Sequence, residues 1–188
     1  DINKIAFTGS TQVGKLIQKS LAGRDVGLTL ELGGKAANIV YEDAAIDQAV
    51  EGVVNGIFFN QGHVCCAGSR LLLQESIHDQ FVKKLEKRMQ SLRVGNPLDK
   101  NTDIGAINSK EQLDKITSLV NEGVEDGGEL FQTQCELPGN GFWFRPSLFT
   151  NVQPSYSIAR EEIFGPVLTT LTFRTPEEAV EIANNTEY

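Results

Sequence analysis

Short strand-type runs alternate along this chain with runs whose apolar residues keep helical spacing, and that alternation restricts the fold more than any other feature. Residues 5–8 read as a buried strand. Gly9-Ser10 then turns the chain into a segment where Val13, Leu16, Ile17, Ser20 and Leu21 hold helical spacing until Gly23. Residues 28–32 and 37–41 are the next two strands. Over residues 45–59, Ile46, Ala49, Val50, Val53, Val54, Ile57 and Phe58 line one face of a long helix, and the strand-like run Arg70-Leu-Leu-Leu-Gln74 follows. Ser76 is placed to cap a helix carrying Ile77, Phe81, Leu85 and Met89. Ser109 with Gln112 resembles a capping box ahead of Leu113, Ile116 and Val120, and Gly127-Gly128 ends that helix. Residues 94–105, rich in Asn, Asp, Pro and Gly, read as a surface loop. After a strand over 167–173, Thr175-Pro176-Glu177-Glu178 opens another helix with Pro at its first position. Strands alternating with helices predict an α/β fold with a largely parallel sheet flanked by helices.

Composition narrows the function classes. At 188 residues with 40% hydrophobic residues, the chain can bury a sizeable core. A net charge of −8 without a basic stripe argues against nucleic acid as a partner. No apolar stretch approaches a membrane span. The cysteines are Cys65, Cys66 and Cys135, so at least one is unpaired, and neither His63 nor His78 stands at metal-ligand spacing from them. A reducing, intracellular setting and no metal site are the expectations.

Three short segments carry chemistry. In Asn60-Gln-Gly-His-Val-Cys65 a helix ends and a cysteine follows five residues before a strand, a loop position suited to presenting a nucleophile. The structural alternative is a buried small hydrophobe, the commoner fate of a free cysteine. Glu31, in Glu31-Leu-Gly-Gly-Lys35, is a candidate general base, its carboxylate set between Leu30 and Leu32. Its alternative is a surface glutamate at a strand end. Phe7-Thr-Gly-Ser-Thr-Gln-Val-Gly14 is a strand, turn and helix start able to offer backbone N–H groups to a phosphate. It is not the Gly-x-Gly-x-x-Gly fingerprint, and alone it is a weak signal.

Together with Glu161-Glu-Ile-Phe-Gly-Pro166, the Glu31 and Cys65 segments resemble the aldehyde dehydrogenase superfamily in order and spacing, across essentially the whole chain. The resemblance implies that Cys65, rather than its neighbour Cys66, is the nucleophile and that Glu31 activates the water of deacylation. It implies that Thr8, Gly9, Ser10 and Leu32 lie along a dinucleotide, that Glu162 binds a ribose, and that Phe164 packs near the nicotinamide. NAD is the expected cofactor, with NADP left open. A small-molecule aldehyde is the expected substrate, oxidised to a carboxylic acid through a thiohemiacetal and thioester. Relatives that pass the acyl group to coenzyme A generally lack the glutamate at the Glu31 position, so hydrolysis is favoured. His63 is a departure, since the family usually carries Gln there; it is read as a polar replacement that hydrogen-bonds locally. Lys35 is read as structural and Trp143 as core or rim packing.

By the same resemblance, residues 1–33 close a cofactor domain and residues 34–188 form most of a catalytic domain. The absence of a starting Met and the family's greater length imply an internal fragment, inactive alone as a dehydrogenase. The intact protein is expected to be a homo-oligomer in the cytoplasm, with mitochondria as the other compartment considered. A catalytically silent scaffold of the same fold is the competing functional class.

Overall fold

The computed structural model describes residues 2–188. They form two compact units, one ending at Gly34 and one running from Lys35 to Glu187. In the smaller unit β1 (Lys4–Thr8), α1 (Thr11–Ser20) and β2 (Gly27–Glu31) make a single strand–helix–strand crossover. The two strands pair in parallel with Thr8 opposite Glu31, a geometry that needs the intervening helix. The helix starts abruptly because the Ser10 hydroxyl oxygen accepts the Val13 N–H at 3.3 Å. Gly14 is its buried residue, and a Cβ there would lie 2.5 Å from a Leu32 methyl, so the Leu32 side chain packs directly over the bare helix backbone and would have to shift for any larger residue. The apolar spacing of α1 suggests a covered face, yet Val13 and Leu16 are 41% and 65% exposed.

The larger unit is built on a five-stranded sheet. Its strands, in spatial order, are β3 (Ala37–Val40), β4 (Arg70–Gln74), β7 (Val167–Phe173), β6 (Ser147–Thr150) and β5 (Glu129–Gln132). All neighbours are parallel except β5, which runs antiparallel to β6 at one edge. Side chains alternate across a strand, and β4 displays this directly. Leu71 and Leu73 join one core with α2 (Ile46–Phe58) and α3 (His78–Met89), whereas Leu72 joins the other. That second core holds Ile116 and Val120 of α4 (Lys110–Glu125), Ile158 of α5 (Ser157–Arg160) and Ala179 of α6 (Pro176–Asn184). The central strand β7 is covered on both faces, so its buried threonines need internal partners. Thr170 donates to the Phe149 carbonyl at 2.9 Å, and Thr169 to that of Ser69 at 3.2 Å.

The α/β fold with a largely parallel sheet is as expected, with local differences. Helix α3 does not start on Ser76: residues Glu75–Ile77 form a 3₁₀ turn, and the Ser76 hydroxyl donates instead to Glu42 at 2.8 Å. The strand expected over 28–32 runs one residue earlier, and that expected over 37–41 ends at Val40. Strands β5 and β6 carry no clear pattern, being four residues each; β5 exposes Glu129 and Leu130 at the sheet edge. The loop 94–105 is anchored rather than loose, because Val94 bridges to a fully buried Ile104.

One buried cation ties the sheet to its flanks. Arg70 is 3% exposed, and its guanidinium donates to the carbonyls of Lys35, Ile182 and Ala183 at 2.8, 3.1 and 2.8 Å. Two of those carbonyls belong to the last turn of α6, where a positive charge is favoured by the helix dipole. Arg70→Met should therefore destabilise the protein by about 2–4 kcal/mol. The checking measurement is urea unfolding: a lower midpoint at unchanged m-value is expected.

Candidate functional site

Helix α2 runs out at Phe58, and the chain reverses through the 3₁₀ turn Phe59–Gly62. The reversal is made by two successive left-handed residues, Asn60 (φ 49°) and Gln61 (φ 58°), followed by Gly62 (φ 73°). Non-glycine residues rarely adopt this region, and such strain persists only where the surroundings hold it. The surroundings are specific. Gln61 accepts the Gly105 N–H at 3.0 Å through its side-chain oxygen, and the Asn60 side chain donates to the His63 carbonyl at 3.2 Å. Cys65 and Cys66 then occupy the tip of a turn closed by the Ala67 N–H on the Val64 carbonyl, 3.0 Å. Both thiols are exposed, while Cys135 is half-buried beside Thr133.

The loop 161–166 meets this turn. Phe164 also has a left-handed backbone (φ 54°). A Cβ on Gly62 would fall 2.2 Å from the Gly165 carbonyl oxygen, so the two loops touch backbone to backbone. The His63 ring stacks on Phe164 with centroids 5.2 Å apart and planes 9° from parallel. Strand register explains the meeting: Cys65 and Phe164 each lie five residues ahead of Arg70 and Thr169, which pair across β4 and β7.

Helix α4 grips the same loop. The Ser109 hydroxyl oxygen accepts the Gln112 N–H at 3.1 Å, as half of a capping box. The Gln112 side chain does not complete that box. It donates to the Ile163 and Phe164 carbonyls at 2.8 and 3.0 Å, holding the strained loop in place. On the other side, His63 Nε2 accepts the Asn108 N–H at 3.3 Å. Burial lowers the His63 pKa below its ordinary value, with the Phe164 backbone a smaller influence in the opposite direction.

In the smaller unit Glu31 ends β2, and its carbonyl accepts the Gly9 N–H at 3.0 Å, so the residue 8–10 turn and Glu31 are direct neighbours. Glu31, Thr8, Gly9 and Ser10 are exposed and Leu32 is half-buried against Gly14. The apolar surroundings expected for the Glu31 carboxylate are thus not supplied by the described residues. The larger unit sets the turn that leads to Cys65 against the loop of Phe164, through His63 and Gly62, and Glu162 is half-buried in that second loop. Asn108, the loop contact of Gln112 (read from sequence only as part of a capping box) and the strained Asn60-Gln61 pair are contributors the chemistry-bearing motifs do not announce; in the strained turn only Asn60 and Gly62 are of residue types that favour left-handed backbone. Trp143 packs at the rim of a core and donates to the Asn140 carbonyl at 2.8 Å. Among the described residues no cluster of His, Cys, Asp or Glu could hold a metal, and no helix is long and apolar enough to cross a membrane.

Lys35 is the second buried cation, 2% exposed, and its ammonium has no hydrogen-bond partner. Desolvation, then the Arg70 charge, lower its pKa to about 7, against the pull of Glu162 and Glu161.

The model of the aldehyde dehydrogenase family matches residues 1–188. Retinal dehydrogenase 2 of Taeniopygia guttata is 48% identical over the whole chain, which spans 36% of that protein. An NAD-dependent aldehyde dehydrogenase of Sinorhizobium meliloti has a TM-score of 0.93 at 43% identity, over 98% of this chain and 37% of its own. Betaine aldehyde dehydrogenase of Staphylococcus aureus, solved with NAD+, has a TM-score of 0.93 at 37% identity, over 99% of this chain and 38% of its own. The chain thus spans little more than a third of the relatives it matches.

The lowered Lys35 pKa has a checkable sign. Between the folded value of about 7 and the ordinary 10.5, the unfolded chain binds a proton that the folded one lacks. Stability from this residue is therefore present at high pH and lost as pH falls toward 7. Relative to Lys35→Met, the wild type should gain roughly 2–3 kcal/mol between pH 7 and 9.5, measured by urea unfolding at the two pH values.

Proposed function

The chain belongs to the aldehyde dehydrogenase family, and we propose that it supplies the thiol, the deacylating base and one side of the cofactor site of an NAD-dependent enzyme oxidising an aldehyde to a carboxylic acid. The observation that carries this reading is the stack of His63 on Phe164, which joins the Cys65 loop to a loop far away in sequence. NAD is the proposed cofactor, with NADP open, since a solved relative is an NAD+ complex. The residues present fit a dinucleotide. Gly9 keeps the turn ahead of α1 free of a side chain, Glu162 offers two oxygens to a ribose diol, and Phe164 presents a flat ring. When bound, a nicotinamide cofactor supplies the hydride acceptor.

The remaining chemistry falls to the chain. Cys65 as thiolate adds to the aldehyde carbon, and its own backbone N–H is the donor to the resulting oxyanion. Loss of hydride from that carbon leaves a thioester on Cys65. Glu31 takes a proton from water as the water attacks, the acid departs, and the thiol is restored. Both thiols on the turn are exposed, so the choice of Cys65 rests on the motif. In this reading residues 1–33 close the cofactor domain, residues 34–188 form most of the catalytic domain, and the intact protein is a homo-oligomer of the cytoplasm, with mitochondria the other compartment considered.

Two substitutions in the full-length protein test the assignment. Cys65→Ser should lower kcat/KM by ~10³-fold or more, while Cys66→Ser and Cys135→Ser keep most of the activity. Near-normal turnover of the Cys65 variant would remove the thiol from the mechanism. Glu31→Gln should keep a pre-steady-state burst of reduced cofactor and lose ~10²-fold or more in steady-state turnover. A lost burst, with hydrolysis of a preformed thioester intact, would give Glu31 another role.

A further inference from the structure

His63 closes a circuit around the two strained loops. From the Cys65 turn its ring reaches the Asn108 N–H, Asn108 leads directly into the N-terminus of α4, Gln112 on that helix holds the Ile163 and Phe164 carbonyls, and Phe164 stacks back on His63. An imidazole that accepts through Nε2 carries its proton on Nδ1 and is neutral. Nδ1 here is buried without a hydrogen-bond partner. Protonation would set an Nε2–H against the Asn108 N–H, donor to donor, and place a charge in a half-buried site.

We propose that His63 is a positioning residue for the cofactor loop: as the neutral ring it keeps Phe164 and Glu162 aligned with Cys65, and on protonation it releases the Asn108 segment and with it that alignment. The proposal rests on the aldehyde dehydrogenase reading for its effect on cofactor, and on the contacts alone for the release. The direction of the titration agrees. Burial depresses the folded-state pKa, so the aligned form is fully present above the ordinary value of 6.5 and is lost as pH falls through the lower folded one. The charged and titratable groups on the surrounding segments are Cys65 and Cys66, Asp103, Lys110, Glu111 and Lys115, and Glu161 and Glu162. None of them is a cause of the lowering, which comes from desolvation.

The test uses the full-length protein and His63→Gln, whose amide oxygen can accept from Asn108 but does not titrate. Between about pH 7.5 and 5.5 the wild-type KM for NAD should rise about tenfold, the scale of one lost hydrogen bond, with kcat changing far less. In His63→Gln the KM should stay flat. Equal pH dependence in the two proteins, or a change in kcat alone, overturns the proposal. A second readout does not need activity: hydrogen–deuterium exchange of the 104–112 peptide, corrected for intrinsic rate. It should accelerate at the lower pH in wild type and not in His63→Gln; equal behaviour overturns the proposal. Absence of any NAD-dependent aldehyde oxidation would sink the functional reading, while the exchange measurement would still decide whether His63 holds the loop.

Discussion

Two glycines set how closely the site can close. Gly62 and Gly165 meet where any side chain on Gly62 would overlap the opposing backbone. That approach requires left-handed backbone at Asn60, Gln61 and Phe164, at a cost of about 1–3 kcal/mol each. The hydrogen bonds of Gln61 to Gly105 and of Gln112 to the 163 and 164 carbonyls stabilise these conformations. Each is a side chain donating to or accepting from backbone, so the loops are held by contacts that survive replacement of most neighbouring side chains. Of the left-handed non-glycine residues among those described, Asn60, Gln61 and Phe164 lie in the thiol turn and the aromatic loop and Asn151 lies outside them; strain gathered in two touching loops is what a preorganised site requires.

The two buried cations beside this region contrast sharply. Arg70 is surrounded by carbonyls, and its planar fork satisfies three of them at once. Lys35 has no such partners and is held near neutrality by burial. A guanidinium cannot give up its charge, so it is built in with acceptors; an ammonium can, and so tolerates a site without them. Arg70 thus carries structural weight, whereas Lys35 leaves the stability of the protein dependent on pH.

Much of the fold was legible because the buried helices and the central strands carry strong patterns. Val50, Val53, Val54 and Ile57 mark α2, and the leucines of β4 mark a strand covered on both faces. The edge strand β5 was not legible, since half its residues face solvent and need no apolar side chain. Ser76 misled because a hydroxyl bonds whichever partner tertiary packing brings near, here Glu42. In the site, the thiol turn and the aromatic loop could be picked out as motifs. Their stacking, the diversion of Gln112 from its own helix end and the role of Asn108 could not, because each depends on β4 and β7 lying side by side in register.

That parallel pairing has a directional consequence. Because β4 and β7 run the same way, the segments that precede them both emerge at the amino edge of the sheet. Ligands of open α/β sheets more often gather at the opposite, carboxyl edge, where helix amino termini attract anions. Here the helix leading into the thiol turn is α2, and it presents its carboxyl end, the negative pole of its dipole. Negative charge developing on the turn 64–67 therefore gets no assistance from α2. Any compensating positive potential has to come from backbone N–H groups aimed from the turn itself or from the amino end of α4, which Asn108 brings up to His63, so the electrostatics of this turn depend on a helix that follows it by more than forty residues in the chain.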